Sequence, residues 1–238
     1  MRRAARRIAV LVAVLVAALA VAALSVSCSE AEVDAILDEV VNEIEDANAG
    51  SDGKVPADAG KALKKLEVSP PGSMAGYDRE DFPHWSDAQE FGWNVSDSAC
   101  DVREAALIRD GEDVTVGEGC DVESGRWLDP YTTRTYTDPL DIDIDHLVPL
   151  ANAFRCGASE WDEAERERYA NDPGNLLAVE DNANQEKGDK GPEAWRPPNR
   201  TIWCQYARRW IGVKSTYDLT VNPQERAALR QMLASCGK

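Results

Sequence analysis

The spacing of apolar residues predicts a series of short helices and strands. In residues 32–47 they recur at helical spacing, which indicates an amphipathic, acidic helix. Its role stays open between a partner-binding or spacer helix and a weakly packed tether. Glycine, proline and alanine then interrupt the pattern at 48–60, and a proline pair does so at 68–76. These stretches predict a linker and a boundary before the folded part, which we expect to start near Lys61 or Gly76.

Beyond that boundary some segments have the helical spacing of apolar residues and others have the alternation of a strand. It predicts helices at 101–111 and 160–172, a hairpin or small meander within 112–137, and a short strand at 175–181. A helix that begins at 182 is broken by glycines and prolines. Two more helices are expected at 200–218 and 222–236, the last with Asn222 as N-cap and Pro223 in its first turn. The expected fold class is α+β, a helical domain with small β-hairpins.

The stretch "DIDIDHLVPL" at 141–150 has strict alternation, so its isoleucines face one side of a strand and its acids the other. Adjacent residues of a strand point to opposite faces. A turn at Asp145 and His146 would bring both to one site, and Pro149 marks such a break. The chain has only two histidines, so the place of His146 beside an acid and before an apolar run attracts attention.

Charge is unevenly distributed along the chain. The net charge is −17, which opposes binding to a polyanion. Residues 73–186 carry −20, whereas residues 187–238 carry +6. The C-terminal quarter is therefore a basic segment on an acidic protein, and it could offset the repulsion if it folds over the site.

The N-terminus has the features of an export signal. "MRRAARR" is followed by an unbroken apolar run from Ile8 to Leu24 and by "SVSC". The last residues are similar to a bacterial lipobox, which would make Cys28 a lipidation site, although Ser25 stands where that pattern usually has leucine. Lipidation, plain secretion and an uncleaved anchor stay open. All three place the domain outside the cytoplasm, and two of them attach it to a membrane.

Cysteine usage agrees with an oxidising compartment. Five cysteines follow Cys28, so they cannot all pair. Local spacing favours Cys100–Cys120 and Cys204–Cys236 and leaves Cys156 free, although the sequence alone does not fix the pairing. Structural zinc is disfavoured because the chain has no Cys-x-x-Cys pair.

A set of short motifs appears in a characteristic order. Asp145-His146 is followed by Pro149, by "NLL" from Asn175, and by "NQEKGDK" from Asn184. This order resembles the HNH, or ββα-metal, nucleases, and in particular the C-terminal domain of GmrSD-type restriction enzymes and many secreted bacterial HNH proteins. The resemblance implies a nuclease domain at 73–238 with its ββα-metal core at about 138–195, preceded by a signal peptide at 1–27 and an acidic helix and linker at 28–72.

The resemblance also implies a role for each residue. His146 would be the general base, and Asp145 and Asn184 would hold Mg²⁺ (or Mn²⁺). Asn175 would orient the histidine and hold the loop between the strands, and Lys187 would contact the phosphate. Asp141 and Asp143 are expected to be solvated, with an assisting role for Asp143 left open. Imidazole is a suitable base near neutral pH, and a hard divalent cation stabilises charge on phosphate.

Further residues are candidates for binding nucleic acid, for which DNA is favoured over RNA. Arg103 contacts either phosphate or one of the many acids of the chain, and Lys190 is a second candidate for a phosphate contact. Trp195, Trp203, Tyr206 and Trp210 interleave with arginines, either as a stacking surface or as a core helix, which we favour. His84 is given no role by the resemblance, and oligomeric state is not predicted.

Two functions from other classes are alternatives to an exported endonuclease. One is an envelope-anchored binding lipoprotein that keeps the fold without catalysis. The other is a phosphodiesterase that acts on substrates other than nucleic acid.

Overall fold

The structure is a computed structural model that describes residues 58–236. Within this range seven α-helices and five strands form an α+β arrangement, which confirms the expected fold class. The helices are α1 (Ala59–Lys65), α2 (Val102–Asp110), α3 (Leu150–Arg155), α4 (Glu163–Ala170), α5 (Asp181–Lys187), α6 (Trp203–Thr216) and α7 (Pro223–Leu233). The strands are β1 (Glu112–Val116), β2 (Val122–Leu128), β3 (Thr135–Tyr136), β4 (Ile142–His146) and β5 (Leu176–Glu180).

The helices begin and end where local chemistry predicts. The Asp101 carboxylate caps α2 by accepting from the backbone N–H of Glu104 at 2.8 Å. Helix α7 has the predicted Asn222 cap, completed by Glu225 into a reciprocal capping box. Helix α5 ends at Gly188, whose φ of 51° is open to glycine at little cost.

The strands form two separate antiparallel sheets. Strands β1, β2 and β3 make the small meander that the sequence predicts, in that order. Strands β4 and β5 pair as a two-stranded sheet, from Ile142 opposite Glu180 to His146 opposite Leu176. Two strands alone are marginally stable in water, so this sheet depends on what packs against its faces.

Two hydrophobic clusters enclose the β4–β5 sheet. The small cluster contains α2, Trp127 and the disulfide cysteines 100 and 120, and it receives Ile142 and Ile144. The large cluster contains α3, α6 and α7, and it receives Val179. The sheet therefore lies between two cores, and each of its faces belongs to a different one.

The C-terminal helices pack as a core rather than as an open stacking surface, which confirms the interpretation favoured from the sequence. Trp195, Tyr206 and Trp210 are buried in the large cluster. Trp203 is only partly buried, and the guanidinium groups of Arg196 and Arg200 lie 5.4 and 5.2 Å from the centre of its ring.

The predicted signal peptide, Cys28, the acidic helix at 32–47 and most of the linker lie outside the described residues. Helix α1 comes before the expected domain start at residue 73, and its Leu63 is buried in the large cluster. Among residues 58–236 no helix is long and apolar enough to cross a membrane.

Both predicted disulfides are confirmed. Cys100 is bonded to Cys120, and Cys204 is bonded to Cys236. Cys156 is the free cysteine of the described part of the chain, and it is buried. The first bond lies in the small cluster, and the second joins the start of α6 to the residues after α7.

Candidate active site

Strand β4 carries the acids and the histidine on opposite faces. Its pairing with β5 runs without a register shift from Ile142 to His146. Asp143 and Asp145 therefore share one face, while Ile142, Ile144 and His146 share the other, as the alternation predicts. The expected turn at Asp145 and His146 is wrong, because the strand continues through both residues. The chain turns only after His146, where Pro149 is the N-cap of α3.

On the acidic face Asp145 is held by two buried donors. Its Oδ1 accepts from the Lys187 ammonium at 2.7 Å, and its Oδ2 accepts from the Tyr131 hydroxyl at 2.6 Å. Lys187 also donates to the backbone carbonyl of His146 at 2.9 Å. Asp145 is 4% exposed and Lys187 is fully buried. Burial raises the pKa of the Asp145 carboxyl, and the nearby ammonium opposes that shift.

Lys187 is placed differently from the expectation. A phosphate contact requires an accessible ammonium, but this one is enclosed between Asp145 and the end of β4. Burial lowers the pKa of Lys187, and the Asp145 charge raises it. In this arrangement Lys187 fixes the position of a carboxylate and of the strand end.

Asn184 lies one helical turn before Lys187 and contacts a different acid. Its Nδ2 donates to Asp143 Oδ2 at 3.1 Å, and both side chains are half-buried. Residues three apart on α5, Asn184 and Lys187, thus face residues two apart on β4, Asp143 and Asp145. Helix α5 lies across the acidic face, and its Asn184 meets Asp143, whereas Lys187 meets Asp145.

On the opposite face His146 is oriented by a backbone carbonyl. Its Nε2 lies 2.8 Å from the carbonyl oxygen of Ala170, and the ring is 5% exposed. A carbonyl only accepts, so Nε2 carries the proton and Nδ1 carries the lone pair. Burial lowers the pKa of His146 to about 3, so the ring is neutral at neutral pH. The side chain is a base with its free electron pair on Nδ1.

Asn175 holds the loop that follows β4. Its Oδ1 accepts from the Val148 N–H at 2.9 Å, and its Nδ2 donates to the Val148 carbonyl at 3.2 Å. Its own carbonyl accepts from Leu147 N at 2.7 Å. The role in the loop agrees with the expectation. Orientation of the histidine belongs instead to Ala170.

The two other predicted phosphate contacts, Arg103 and Lys190, make no contact with Asp143, Asp145 or His146. Arg103 is partly exposed on α2 and forms an ion pair with Glu104 at 2.5 Å, so the acid partner considered from the sequence is present. Lys190 is exposed beyond the end of α5, and its ammonium donates to the backbone carbonyl of Glu186.

Sequence reasoning missed four partners of the site. Tyr131, in "DPYTT", has no motif that connects it with Asp145. The carbonyl of Ala170 is backbone, so no residue type could have revealed it. His84 and Trp85 lie beside His146, with ring centres 6.3 and 6.1 Å from its ring. The rarity of histidine was the one signal that could have singled out His84.

On the acidic face, Asp143 and Asn184 are better placed to bind a hard divalent cation than Asp145 is. Such cations take oxygen ligands and, in the case of Mg²⁺, keep several waters. Both oxygens of Asp145 already accept from donors, one of them a cation. Asp143 and Asn184 are close and half-buried, and a flipped amide would present a second oxygen. Within residues 58–236 no group of three His, Cys, Asp or Glu is arranged for a metal.

Comparisons with known proteins identify the family of the domain that contains these residues. Residues 104–232, more than half of the chain, match the family described as "GmrSD restriction endonucleases, C-terminal domain". An uncharacterised secreted protein of the fungus Arthroderma benhamiae is 47% identical over 176 residues, covering 73% of this chain and 82% of that protein. That relative is a secreted protein of a fungus, whereas the resemblance read from the sequence was to secreted bacterial proteins. No solved structure matches.

The secreted relative and the two disulfides place the protein outside the cytoplasm, as the sequence predicts. The matched family covers β4, β5 and α5, with the histidine, the acids and Asn184. This chain belongs to the family of the GmrSD restriction endonuclease C-terminal domain, a nuclease family.

Proposed function

We propose that the protein is an exported, metal-dependent endonuclease that hydrolyses phosphodiester bonds of nucleic acid, with DNA as the favoured substrate. The observation that carries the proposal is the state of His146. It is neutral, it is fixed by a carbonyl at Nε2, and its lone pair is on Nδ1. It stands at the end of a strand whose other face carries oxygen donors, in a chain of a nuclease family.

His146 would act as the general base. Nδ1 would accept a proton from the attacking water, and the Ala170 carbonyl would keep the ring oriented as it becomes positively charged. A low pKa keeps the base unprotonated over the whole neutral range. General base catalysis typically contributes about 10²–10⁴-fold in rate.

The acidic face would hold Mg²⁺ or Mn²⁺. Asp143 and Asn184 are the accessible donors, and Asp145 would join them if the Lys187 ammonium moved away from Oδ1. When bound, the cation supplies stabilisation of negative charge on the phosphate and on the leaving oxygen. Lys187 and Tyr131 position Asp145, and the exposed Lys190 is the candidate phosphate contact near this face.

Plasmid nicking tests the function. The wild-type protein should relax supercoiled plasmid with Mg²⁺ or Mn²⁺ and should be inactive with EDTA. The His146→Ala variant should lose about 10²–10⁴-fold in rate, and excess metal should not rescue it. Asp145→Ala and Asn184→Ala should be partly rescued by excess metal. Asn175→Ala should have an intermediate loss, and circular dichroism should confirm folding of all four.

The outcomes separate the candidate functions. Absence of metal-dependent cleavage of any phosphodiester would identify a binding lipoprotein that keeps the fold without catalysis. Cleavage of a chromogenic bis-ester without cleavage of DNA or RNA would identify a phosphodiesterase for other substrates. Wild-type cleavage by His146→Ala would contradict the site itself. Intact-mass measurement of the cell-associated form would test lipid at Cys28.

A further inference from the structure

Two arginines lie against one tryptophan at the start of α6. Trp203 is the first residue of that helix and is half-buried. The guanidinium carbons of Arg196 and Arg200 lie 5.4 and 5.2 Å from the centre of its ring. Arg196 also donates to the Gln231 side chain of α7 at 3.0 Å, and Gln231 is exposed. We call these four residues the arginine–tryptophan patch.

The patch is held in place from the protein side. Trp203 Nε1 donates to the Pro197 carbonyl at 2.9 Å, and Arg196 Nε donates to the Pro192 carbonyl at 2.8 Å. The residue after Trp203 is Cys204, whose disulfide joins this end of α6 to the residues after α7. A guanidinium attracted to an indole face has less freedom to lose when it binds an anion, and its planar fork fits phosphate.

The two positive charges of the patch have no acidic partner. Among residues 58–236 the Arg200 guanidinium makes no hydrogen bond or ion pair, and the partners of Arg196 are uncharged. The nearest acid in sequence, Glu193, accepts from Asn222 instead. Other arginines of the chain form ion pairs with acids, as do Arg103, Arg126, Arg155 and Arg166. Neighbouring cations repel each other, so the patch favours an anion from outside.

The segment that leads into the patch is attached to the loop that holds Asp145. Asn199 donates from its backbone to Tyr131 O at 3.0 Å and from its amide to Pro130 O at 2.9 Å. The Trp195 ring lies 5.1 Å from the Tyr131 ring. Because the Tyr131 hydroxyl donates to Asp145, one tyrosine connects the patch with the acidic face of β4, the face to which the cation is assigned.

The acidic character of the whole chain does not exclude an anionic partner at this place. The net charge is −17, but the segment 187–238 that contains the patch carries +6. At physiological salt, exposed charges more than about 8 Å apart are largely screened, so the local charge matters most. Each phosphate that an arginine neutralises releases counterions and adds affinity that depends on salt.

We propose that the arginine–tryptophan patch binds the phosphate backbone of a polynucleotide substrate away from the bond that is cleaved, an inference that rests on the proposed function. Arg196 and Arg200 contact phosphates, and Trp203 keeps their guanidinium groups in place. A polynucleotide that reaches both the patch and the site gains affinity, whereas a small phosphodiester reaches the site alone. The substrate class is therefore a polymer.

Binding of labelled DNA in EDTA, which prevents metal-dependent cleavage, tests the patch directly by fluorescence anisotropy. Arg200→Gln should lower the affinity about fivefold at 0.15 M salt, and the double variant Arg196→Gln/Arg200→Gln should lower it further. Each lost arginine should reduce the slope of log affinity against log salt by about 1. Lys64→Gln is the matched control, because Lys64 is exposed on α1, beside the other end of α6, and it should change neither value.

Two rates on the same preparations separate binding from chemistry. Plasmid cleavage at low DNA concentration should fall by the same factor as the affinity. Hydrolysis of bis(p-nitrophenyl) phosphate should be unchanged, because that ester does not reach the patch. Arg200→Gln alone keeps the test sound if loss of Arg196 loosens α7, since in the described chain Arg200 contacts only the Trp203 ring.

Several outcomes would overturn the role of the patch. These are wild-type affinity in both arginine variants, an equal loss in Lys64→Gln, and an equal loss of plasmid and bis-ester hydrolysis. Equally tight, patch-dependent binding of polyglutamate or of phosphatidylserine vesicles would assign the patch to a protein or a membrane. A wild type that cleaves the bis-ester and binds no DNA would also exclude it. Patch-dependent DNA binding without any hydrolysis would support the patch and remove the proposed catalytic function.

Discussion

The two faces of strand β4 differ in how they hold their polar groups, although their residues alternate in sequence. On one face Asp145 is kept in place by charge, through a buried ammonium and a hydroxyl. On the other face His146 is kept in place without charge, through one carbonyl and the surrounding rings. Burial of an ion requires a partner, whereas burial of a neutral imidazole requires only a hydrogen bond.

Because of this difference, we expect metal binding on the charged face and proton transfer on the neutral face. The charged face can hold a cation only by exchanging or extending existing pairs, so its response to metal should depend on Lys187. The neutral face needs no charged partner, because burial lowers the pKa of His146 to about 3 and so keeps the ring neutral.

The largest expected effect comes from removal of the ammonium. Lys187→Met leaves the Asp145 carboxylate buried and without its cation, which should lower the free energy of unfolding by about 3–5 kcal/mol. Lys190→Met is the matched control, since that ammonium is exposed near the same helix end, and it should change stability by less than about 0.5 kcal/mol. Urea denaturation of both variants measures the difference. Equal stabilities would show that Asp145 does not depend on Lys187.

For each unit of pH, a smaller effect is expected from protonation on the neutral face. The pKa of His146 is about 3 in the folded protein and about 6.5 in an unfolded chain. Between these values the unfolded state binds one more proton, so unfolding free energy should fall as pH falls, by about 1.4 kcal/mol per pH unit at most. Above the upper value this residue should contribute no slope.

His146→Gln isolates that contribution, because glutamine keeps a donor for the Ala170 carbonyl and does not titrate. The wild type minus the variant should give a curve that is flat above about pH 7 and descends towards acid. Denaturation at a series of pH values provides both curves. Parallel curves throughout the acid range would mean that the imidazole is protonated in the folded state.

The smallest effect on stability is expected at Asp143. This carboxylate is half-buried and receives one amide hydrogen bond from Asn184, so Asp143→Asn should change unfolding free energy by less than about 0.5 kcal/mol. Metal dependence should change more, because one charged oxygen donor is lost. Titration of nicking activity against Mg²⁺ should show a higher half-saturating concentration. An unchanged curve would exclude Asp143 as a metal ligand.

Local patterns predicted the elements well, and the contacts between them poorly. Alternation was enough to place Asp145 and Ile144 on opposite faces of β4, and Asn222 with Pro223 was enough to locate the start of α7. These features depend on neighbours in sequence. Neighbouring residues determine which faces of a strand are apolar and where a helix begins, and both are properties of a single segment.

The site was harder to predict because its partners are remote in sequence. Tyr131 reaches Asp145 from the loop after β2, and Ala170 reaches His146 with a backbone atom. Lys187 was predicted to contact phosphate, but its ammonium is buried. The motif identifies a basic residue and does not say whether that residue is exposed. Such contacts depend on how the two hydrophobic clusters pack against the β4–β5 sheet.

The packing of two clusters against one sheet affects the stage at which the newly made protein can become active. Each disulfide closes a loop, with sequence separations of 20 and 32, and typically adds about 3 kcal/mol to a total that is often only about 5–15 kcal/mol. A chain that has not yet met an oxidising compartment lacks both contributions. The β4–β5 sheet, which depends on both cores, would then assemble fully only after export. For a nuclease, this order of maturation would protect the genome of the cell that makes it.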